Sequence, residues 1–167
     1  MNGTVLTNDI PAAYTWLGLS LIVLGLAALG AALGAESSTR LLGALVIIAG
    51  LARVLHAWIC RDWSGCLVSG AWGVKTAVIG LLALVFGWWG LLALWVLGEG
   101  VYGLMLPTVA PKLHRRGAVL ASALAGIALF VLALIAGGAA LAVAVQLVVG
   151  GAMFLAISGS PMFQESL

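Results

Sequence analysis

The chain alternates between long apolar segments and short polar breaks, and this pattern runs through six segments. A helix needs about 20 largely apolar residues to cross the hydrocarbon core of a bilayer, and each segment reaches that length. The segments fall at roughly 13–34, 41–60, 65–86, 88–107, 117–136 and 139–158. The pattern predicts an all-α membrane protein with six transmembrane helices in a single transmembrane domain, residues 1–167.

The breaks between the segments are too short to hold a soluble domain. They are Glu36–Arg40, Arg61–Ser64, Gly87–Gly90, Pro107–Gly117 and Gly137–Gly138. The first apolar segment does not resemble a signal peptide, because the stretch before it, Asn2 to Tyr14, contains Asp9 and no Lys or Arg. We therefore expect the first segment to be a helix of the folded domain.

Composition supports this membrane assignment and narrows the possible functions. Apolar residues make up 64% of the chain and charged residues 7%, whereas about a quarter of a soluble domain is charged. The net charge of +2 is too small to indicate a nucleic-acid partner. Cys60 and Cys66 form no CxxC pattern, and the chain contains no recognised catalytic motif. We expect a non-enzymatic protein of the lipid bilayer without a metal or other cofactor.

The distribution of Lys and Arg predicts the orientation in the membrane. Positive residues concentrate in cytoplasmic loops. Lys112, Arg115 and Arg116 lie in the break before the fifth segment, and Arg61 lies in a break on the same side. The opposite side carries Arg40 alone. Both termini are therefore predicted to be cytoplasmic.

Glycines recur with a regular spacing along the chain. Shifts of 55 and then 53 residues align Gly18 with Gly73 and Gly126, and Gly43 with Gly98 and Gly151. A second small residue follows the first set seven positions on, at Gly25, Gly80 and Ala133. The spacing predicts three repeated helical hairpins, roughly 13–60, 65–107 and 117–158, whose glycines mediate helix packing.

One family shows a similar pattern of Gly-rich hairpins. The stretch Leu-Gly-Ala-Leu-Val-Ile-Ile-Ala-Gly-Leu at 42–51, a polar turn with Trp63, and Ala-Val-Ile-Gly-Leu at 77–81 resemble the HdeD-like family of small bacterial membrane proteins. The resemblance implies a six-helix bundle in a bacterial inner membrane and an association with acid resistance. Its motifs are glycines and apolar residues, so they name no catalytic group.

Ionisable residues inside the apolar segments are the candidate functional groups. Lys75 and Glu99 each lie about 15 Å along their segments, near the expected midplane. An unpaired charge there costs about 2.5 to 3.5 kcal/mol, so we expect the two to form an ion pair on neighbouring helices. Arg53, Gln146 and Tyr102 are the other candidates for an intramembrane polar layer.

These polar residues have alternative interpretations. The Lys75–Glu99 pair could fix the helix register or respond to protons, and either side chain could instead reach the interface or a partner subunit. For Arg53, a long stem that carries the guanidinium to the nearer interface is the favoured interpretation. His56 is a ligand candidate, although a hydrogen-bonded histidine near a helix end is more common.

Three functions agree with this sequence. The first is an HdeD-like acid- or envelope-stress protein in which Glu99 responds to protonation. The second is a structural accessory subunit of a larger membrane complex, or a homo-oligomer built on the small-residue helix faces. The third is a small transporter or channel that uses the polar layer as a path.

Overall fold

The part of the chain that the structure describes folds into six α-helices, each long and apolar enough to cross a membrane. The computed structural model describes residues 9–33, 39–60, 66–109, 116–136 and 138–159. The helices are α1 (Asp9–Leu33), α2 (Thr39–Ile59), α3 (Cys66–Phe86), α4 (Trp89–Val109), α5 (Arg116–Ala136) and α6 (Ala139–Ser158). The predicted all-α membrane fold with six helices is confirmed.

Two helices extend beyond their predicted ends. Helix α1 begins at Asp9, and Pro11 falls in its first turn, where backbone N–H groups have no intrahelical partner to lose. Helix α4 continues through Pro107 to Val109, although we predicted a break at this proline. Pro107 lacks the N–H that would donate to the Gly103 carbonyl, and in this last turn Thr108 Oγ1 donates a hydrogen bond to the Met105 carbonyl at 2.6 Å.

A tight connection joins α3 to α4. Only Gly87 and Trp88 separate the two helices, and Gly87 has a φ of +64°, in the left-handed region that favours glycine. Its N–H donates to the Ala83 carbonyl at 2.9 Å, which completes the last turn of α3.

The helices form an inner and an outer set. Among the 18 most apolar consecutive residues of each helix, 44% are buried in α2, 50% in α4 and 56% in α6. The buried share is only 28% in each of α1, α3 and α5. Each outer helix packs most extensively on one inner helix: α1 on α6, α3 on α2 and α5 on α4. The even-numbered helices therefore supply the centre of the bundle.

Glycines bring the backbones of these three helix pairs together. A Cβ on Gly50 of α2 would lie 2.5 Å from the Ala77 nitrogen of α3, and one on Gly18 of α1 would lie 2.8 Å from the Gly151 carbonyl oxygen of α6. A Cβ on Gly126 of α5 would lie 3.0 Å from the Gly100 Cα of α4. No larger residue fits at these contacts unless the helices move apart.

The contacts also show how the predicted glycine positions are used. Seven of them, Gly18, Gly25, Gly43, Gly73, Gly80, Gly126 and Gly151, lie against the backbone of a neighbouring helix. These close contacts join helices of different predicted hairpins, and the three-hairpin repeat itself stays a prediction.

The predicted equivalence of Gly98 with Gly43 and Gly151 does not agree with the contacts. A Cβ on Gly98 would meet the Lys75 ammonium at 2.5 Å, and Gly100 is the α4 residue that lies against a helix backbone. Gly73 lies against Gly50 and Gly126 lies against Gly100, so the α2 and α4 glycines in equivalent contacts are 50 residues apart and not 55. The connection between α3 and α4 has two residues against five between α1 and α2, which accounts for part of this difference.

The residues that predict orientation lie mostly outside the described part of the chain. This is the case for Arg61, Lys112 and Arg115, whereas Arg116 is described as the exposed first residue of α5. The cytoplasmic placement of the termini therefore stays a prediction.

The glycine contacts predict a clear difference between two Gly→Ala substitutions. Gly50→Ala should destabilise the protein by about 1 to 3 kcal/mol, because the new methyl overlaps the α3 backbone. Gly30→Ala is the matched control, since Gly30 is exposed on α1 and its Cβ would meet nothing within 4 Å. Thermal unfolding in detergent measures both effects. Equal midpoints for the two variants would contradict the close packing of α2 on α3.

Candidate functional site

The centre of the bundle contains a buried ion pair between two inner helices. Glu99 lies halfway along α4, and its carboxylate oxygens Oε1 and Oε2 lie 2.8 and 2.7 Å from Nη1 of Arg53 on α2. Both residues are 5% exposed. Since α2 and α4 make no extensive backbone contact, these two long side chains provide a direct connection between them.

Helix α3 supplies two further hydrogen bonds to the same carboxylate. Trp72 Nε1 donates to Glu99 Oε1 at 3.0 Å, and Thr76 Oγ1 donates to it at 3.3 Å. Trp95 of α4 in turn donates from Nε1 to Thr76 Oγ1 at 3.3 Å. Glu99 thus accepts hydrogen bonds from donors on α2 and α3, as a buried carboxylate requires.

Helical spacing explains why these side chains meet. Trp72 and Thr76 are four residues apart on α3, and so are Trp95 and Glu99 on α4, so each pair lies on one face of its helix. Thr76 and Trp95 are almost fully buried, which places these two faces toward each other.

The buried position of Arg53 shows that the predicted route to the interface is wrong. Arg53 lies six residues before the C-terminal end of α2, about 9 Å by helical rise. Side chains lean toward the N-terminus of their own helix. The guanidinium of Arg53 therefore points away from the nearer end and toward Glu99.

The predicted Lys75–Glu99 ion pair is also wrong, because Arg53 holds the carboxylate. Lys75 Nζ lies 3.5 Å from the centre of the Trp72 ring in a cation–π contact, in the space left by Gly98. Lys75 is half-buried on an outer helix and leans toward the start of α3 by the same rule. Its contact with the site is through Trp72.

The other two members of the predicted layer have different surroundings. Tyr102 is buried and stacks on Trp72, with ring centroids 4.6 Å apart and planes at 22°. Gln146 of α6 is buried as well, but its Oε1 has no hydrogen-bond partner among the described residues. The structure thus joins Arg53 and Glu99 directly and adds Tyr102 and Lys75 through Trp72.

His56 belongs to an aromatic cluster next to the ion pair. Its ring makes an edge contact with Tyr14 of α1, with centroids 4.5 Å apart, and lies 6.1 Å from the ring of Phe154 on α6. Phe154 also lies under the Arg53 guanidinium at 5.9 Å. Cys60 Sγ lies 3.9 Å from His56 Nδ1. In the described chain, no three His, Cys, Asp or Glu residues group as a metal site.

Sequence reasoning missed several contributors to this site. Trp72 and Thr76 were not singled out, although a tryptophan and a threonine four residues apart in an apolar segment are a recognisable signal for two donors on one face. Phe154 has no such signal, because a phenylalanine in an apolar segment has no distinguishing feature in sequence alone.

This site stabilises an ionised Glu99 carboxylate, and the loss of that negative charge would destabilise the bundle. As long as Glu99 is ionised, the pair is neutral overall and each carboxylate oxygen is bonded. Protonation of Glu99 would leave the Arg53 cation inside the bundle without a counter-charge. Breaking a buried ion pair in this way typically costs about 3 to 5 kcal/mol.

Comparison with known proteins gives no match to this chain among protein-family models, curated proteins or solved structures. The resemblance to the HdeD-like family therefore stays a prediction from the sequence motifs.

The ion pair predicts strong coupling between Arg53 and Glu99. Arg53→Met and Glu99→Gln should each lower the unfolding free energy by about 3 to 5 kcal/mol, and the double variant should recover much of that loss. Thermal unfolding in detergent across the four proteins measures the coupling.

Lys75→Met serves as the matched control for this cycle. Because Lys75 makes no ion pair with Glu99 and meets it only through Trp72, its coupling to Glu99→Gln should be smaller than the coupling between Arg53 and Glu99. Stronger coupling of Glu99 to Lys75 than to Arg53 would contradict the observed pairing.

Proposed function

We propose that this chain is a non-enzymatic, acid-responsive protein of a bacterial inner membrane, similar in type to the HdeD-like family. The observation that carries the proposal is the Arg53–Glu99 pair. Glu99 is the only carboxylate within the six candidate spans, and it is buried against a cation at the centre of the bundle. The link to acid or envelope stress comes from the sequence resemblance.

The physical mechanism is a loss of connection between two inner helices. Arg53 and Glu99 bridge α2 and α4, which have no extensive backbone contact of their own. Protonation of Glu99 discharges one end of this bridge and leaves a buried cation. The expected response is a loosening of α2 relative to α4, while the glycine contacts keep each inner helix on its outer partner.

Other charged and titratable groups surround the pair and define its environment. Lys75 of α3 and Tyr102 of α4 both contact the Trp72 ring. The rings of His56 on α2 and Tyr14 on α1 pack near the Phe154 ring of α6, and the Arg53 guanidinium lies over that same ring. The only charged residue of α5 is Arg116 at its first position, and α6 has none. Glu99 is thus the one acid in a mainly cationic and aromatic setting.

The expected pH dependence has a definite sign. The Arg53–Glu99 pair stabilises the folded protein only while the carboxylate is ionised, so acidification through and below about pH 4 should lower the unfolding midpoint of the wild-type protein. The Arg53→Met/Glu99→Gln variant should show a smaller decrease over the same range. An equal decrease in both proteins would assign the acid sensitivity to other groups.

A survival assay tests the acid-stress role directly. Expression of the wild-type protein should raise the survival of a bacterial host after acid exposure, and the folded Arg53→Met/Glu99→Gln variant should not. Gly30→Ala, expressed at the same level, is the control and should protect like wild type. If the double variant protects fully, the pair is structural. If wild type gives no protection, the acid-stress role is wrong.

We also propose that both termini are cytoplasmic, on the basis of the Lys and Arg distribution. With Cys60 and Cys66 replaced by Ala, single cysteines at Ser38 and Ala110 should react with a membrane-impermeant reagent from opposite sides. Labelling of both positions from the same side would contradict this topology.

A second candidate function, an accessory subunit, is favoured by an open groove between α5 and α6. The groove has a volume of about 300 Å³ and is lined by Ala118, Ala121, Ser122, Val149, Ala152 and Met153. Small residues of this kind allow another helix to approach closely in lipid. Purification in mild detergent distinguishes the two functions, since an accessory subunit should retain other subunits in fixed stoichiometry.

A further inference from the structure

Arg53 has more hydrogen-bond donors than its protein partners use. A guanidinium carries five N–H groups, and here Nη1 alone bonds the Glu99 carboxylate. Nε is buried and has no partner among the described residues. A buried donor without an acceptor is costly, so Nε needs an acceptor that the described residues do not supply.

Open space lies beside this guanidinium at Gly150 of α6. Gly150 is buried, yet a Cβ built on it would have one atom within 4 Å outside its own helix backbone and chain neighbours, namely Arg53 Nη2 at 3.8 Å. The neighbouring Gly151 behaves differently, because its Cβ would lie 2.6 Å from the Gly18 carbonyl oxygen. Close helix packing therefore explains the glycine at 151 and not the one at 150.

We propose that the space at Gly150 is a hydration site, in which at least one water accepts hydrogen bonds from the Arg53 guanidinium. Water fits better than an anion, because Glu99 already balances the charge of Arg53. The site is polar on the Arg53 side, and buried waters typically make about three hydrogen bonds to otherwise unpaired groups. The inference rests on this geometry and holds whether or not the protein responds to acid.

A second unpaired atom lies in the same region of α6. Gln146 precedes Gly150 by one helical turn on the same face, and its buried Oε1 has no partner among the described residues. This oxygen lies 3.1 Å from the position of a Cβ on Gly126, toward α5. An additional water that donates to Gln146 would extend the hydrated region along α6.

Three substitutions at Gly150 and Gly30 test the site through thermal unfolding in detergent. Gly150→Ala places a methyl where the water would lie and should lower the unfolding midpoint by about 2 to 4 °C relative to Gly30→Ala. Both substitutions raise helix propensity, so the comparison between them removes that contribution. Gly150→Ser supplies a hydroxyl acceptor for Arg53 in place of the water. It should recover most of the loss seen with Gly150→Ala.

The Arg53→Met/Glu99→Gln background provides the matched control. Without the guanidinium there is nothing to hydrate, so Gly150→Ala should be at least as stable as Gly30→Ala in that background. If Gly150→Ala raises the wild-type midpoint as much as Gly30→Ala does, the space is dry and the proposal is wrong.

A comparison of anions distinguishes water from a bound ion. Wild-type midpoints should be equal in sodium chloride and in sodium gluconate at the same ionic strength. A chloride-dependent stabilisation that Gly150→Ala abolishes would assign the site to an anion and overturn the hydration site.

Discussion

The close approach of helix backbones is the constraint on which the rest of this structure depends. In lipid, apolar side chains gain nothing by leaving their surroundings, so helices associate through close packing and polar contacts. Here Gly18, Gly50 and Gly126 bring each outer helix against one inner helix. Three helix pairs result, and their inner members α2, α4 and α6 surround the centre of the bundle.

The centre differs from the pairs because its helices are farther apart and long side chains fill it. Arg53 and Glu99 connect α2 with α4, and Phe154 of α6 lies against the guanidinium. Trp72 and Thr76 of the outer helix α3 donate the remaining hydrogen bonds to the carboxylate. A polar network in this position is tolerated because its charges cancel and its acceptor oxygens are bonded.

Much of this fold can be predicted from the sequence, but the partner of Glu99 cannot. Apolar length alone identifies all six helices, since a membrane span demands it. Lys75 was the predicted partner of Glu99 because both lie at a similar depth along their helices. Depth alone gives neither the rotation of a helix about its axis nor the direction in which its side chains lean. Arg53 pairs with Glu99 because α2 runs so that its side chains lean toward the centre. The predicted spacing of 55 residues also does not hold for α2 and α4, because their glycines that meet an outer helix, Gly50 and Gly100, are 50 residues apart.

The ion pair also sets a requirement on biogenesis. Arg53 and Glu99 are 46 residues apart, so α2 is synthesised and reaches the bilayer before its counter-charge on α4 exists. During that interval the cation costs about 2.5 to 3.5 kcal/mol, and the many Leu, Val, Ile and Ala residues of α2 must offset it. Insertion of α2 is therefore separate from its final pairing, and the charge becomes balanced only when the fourth helix arrives.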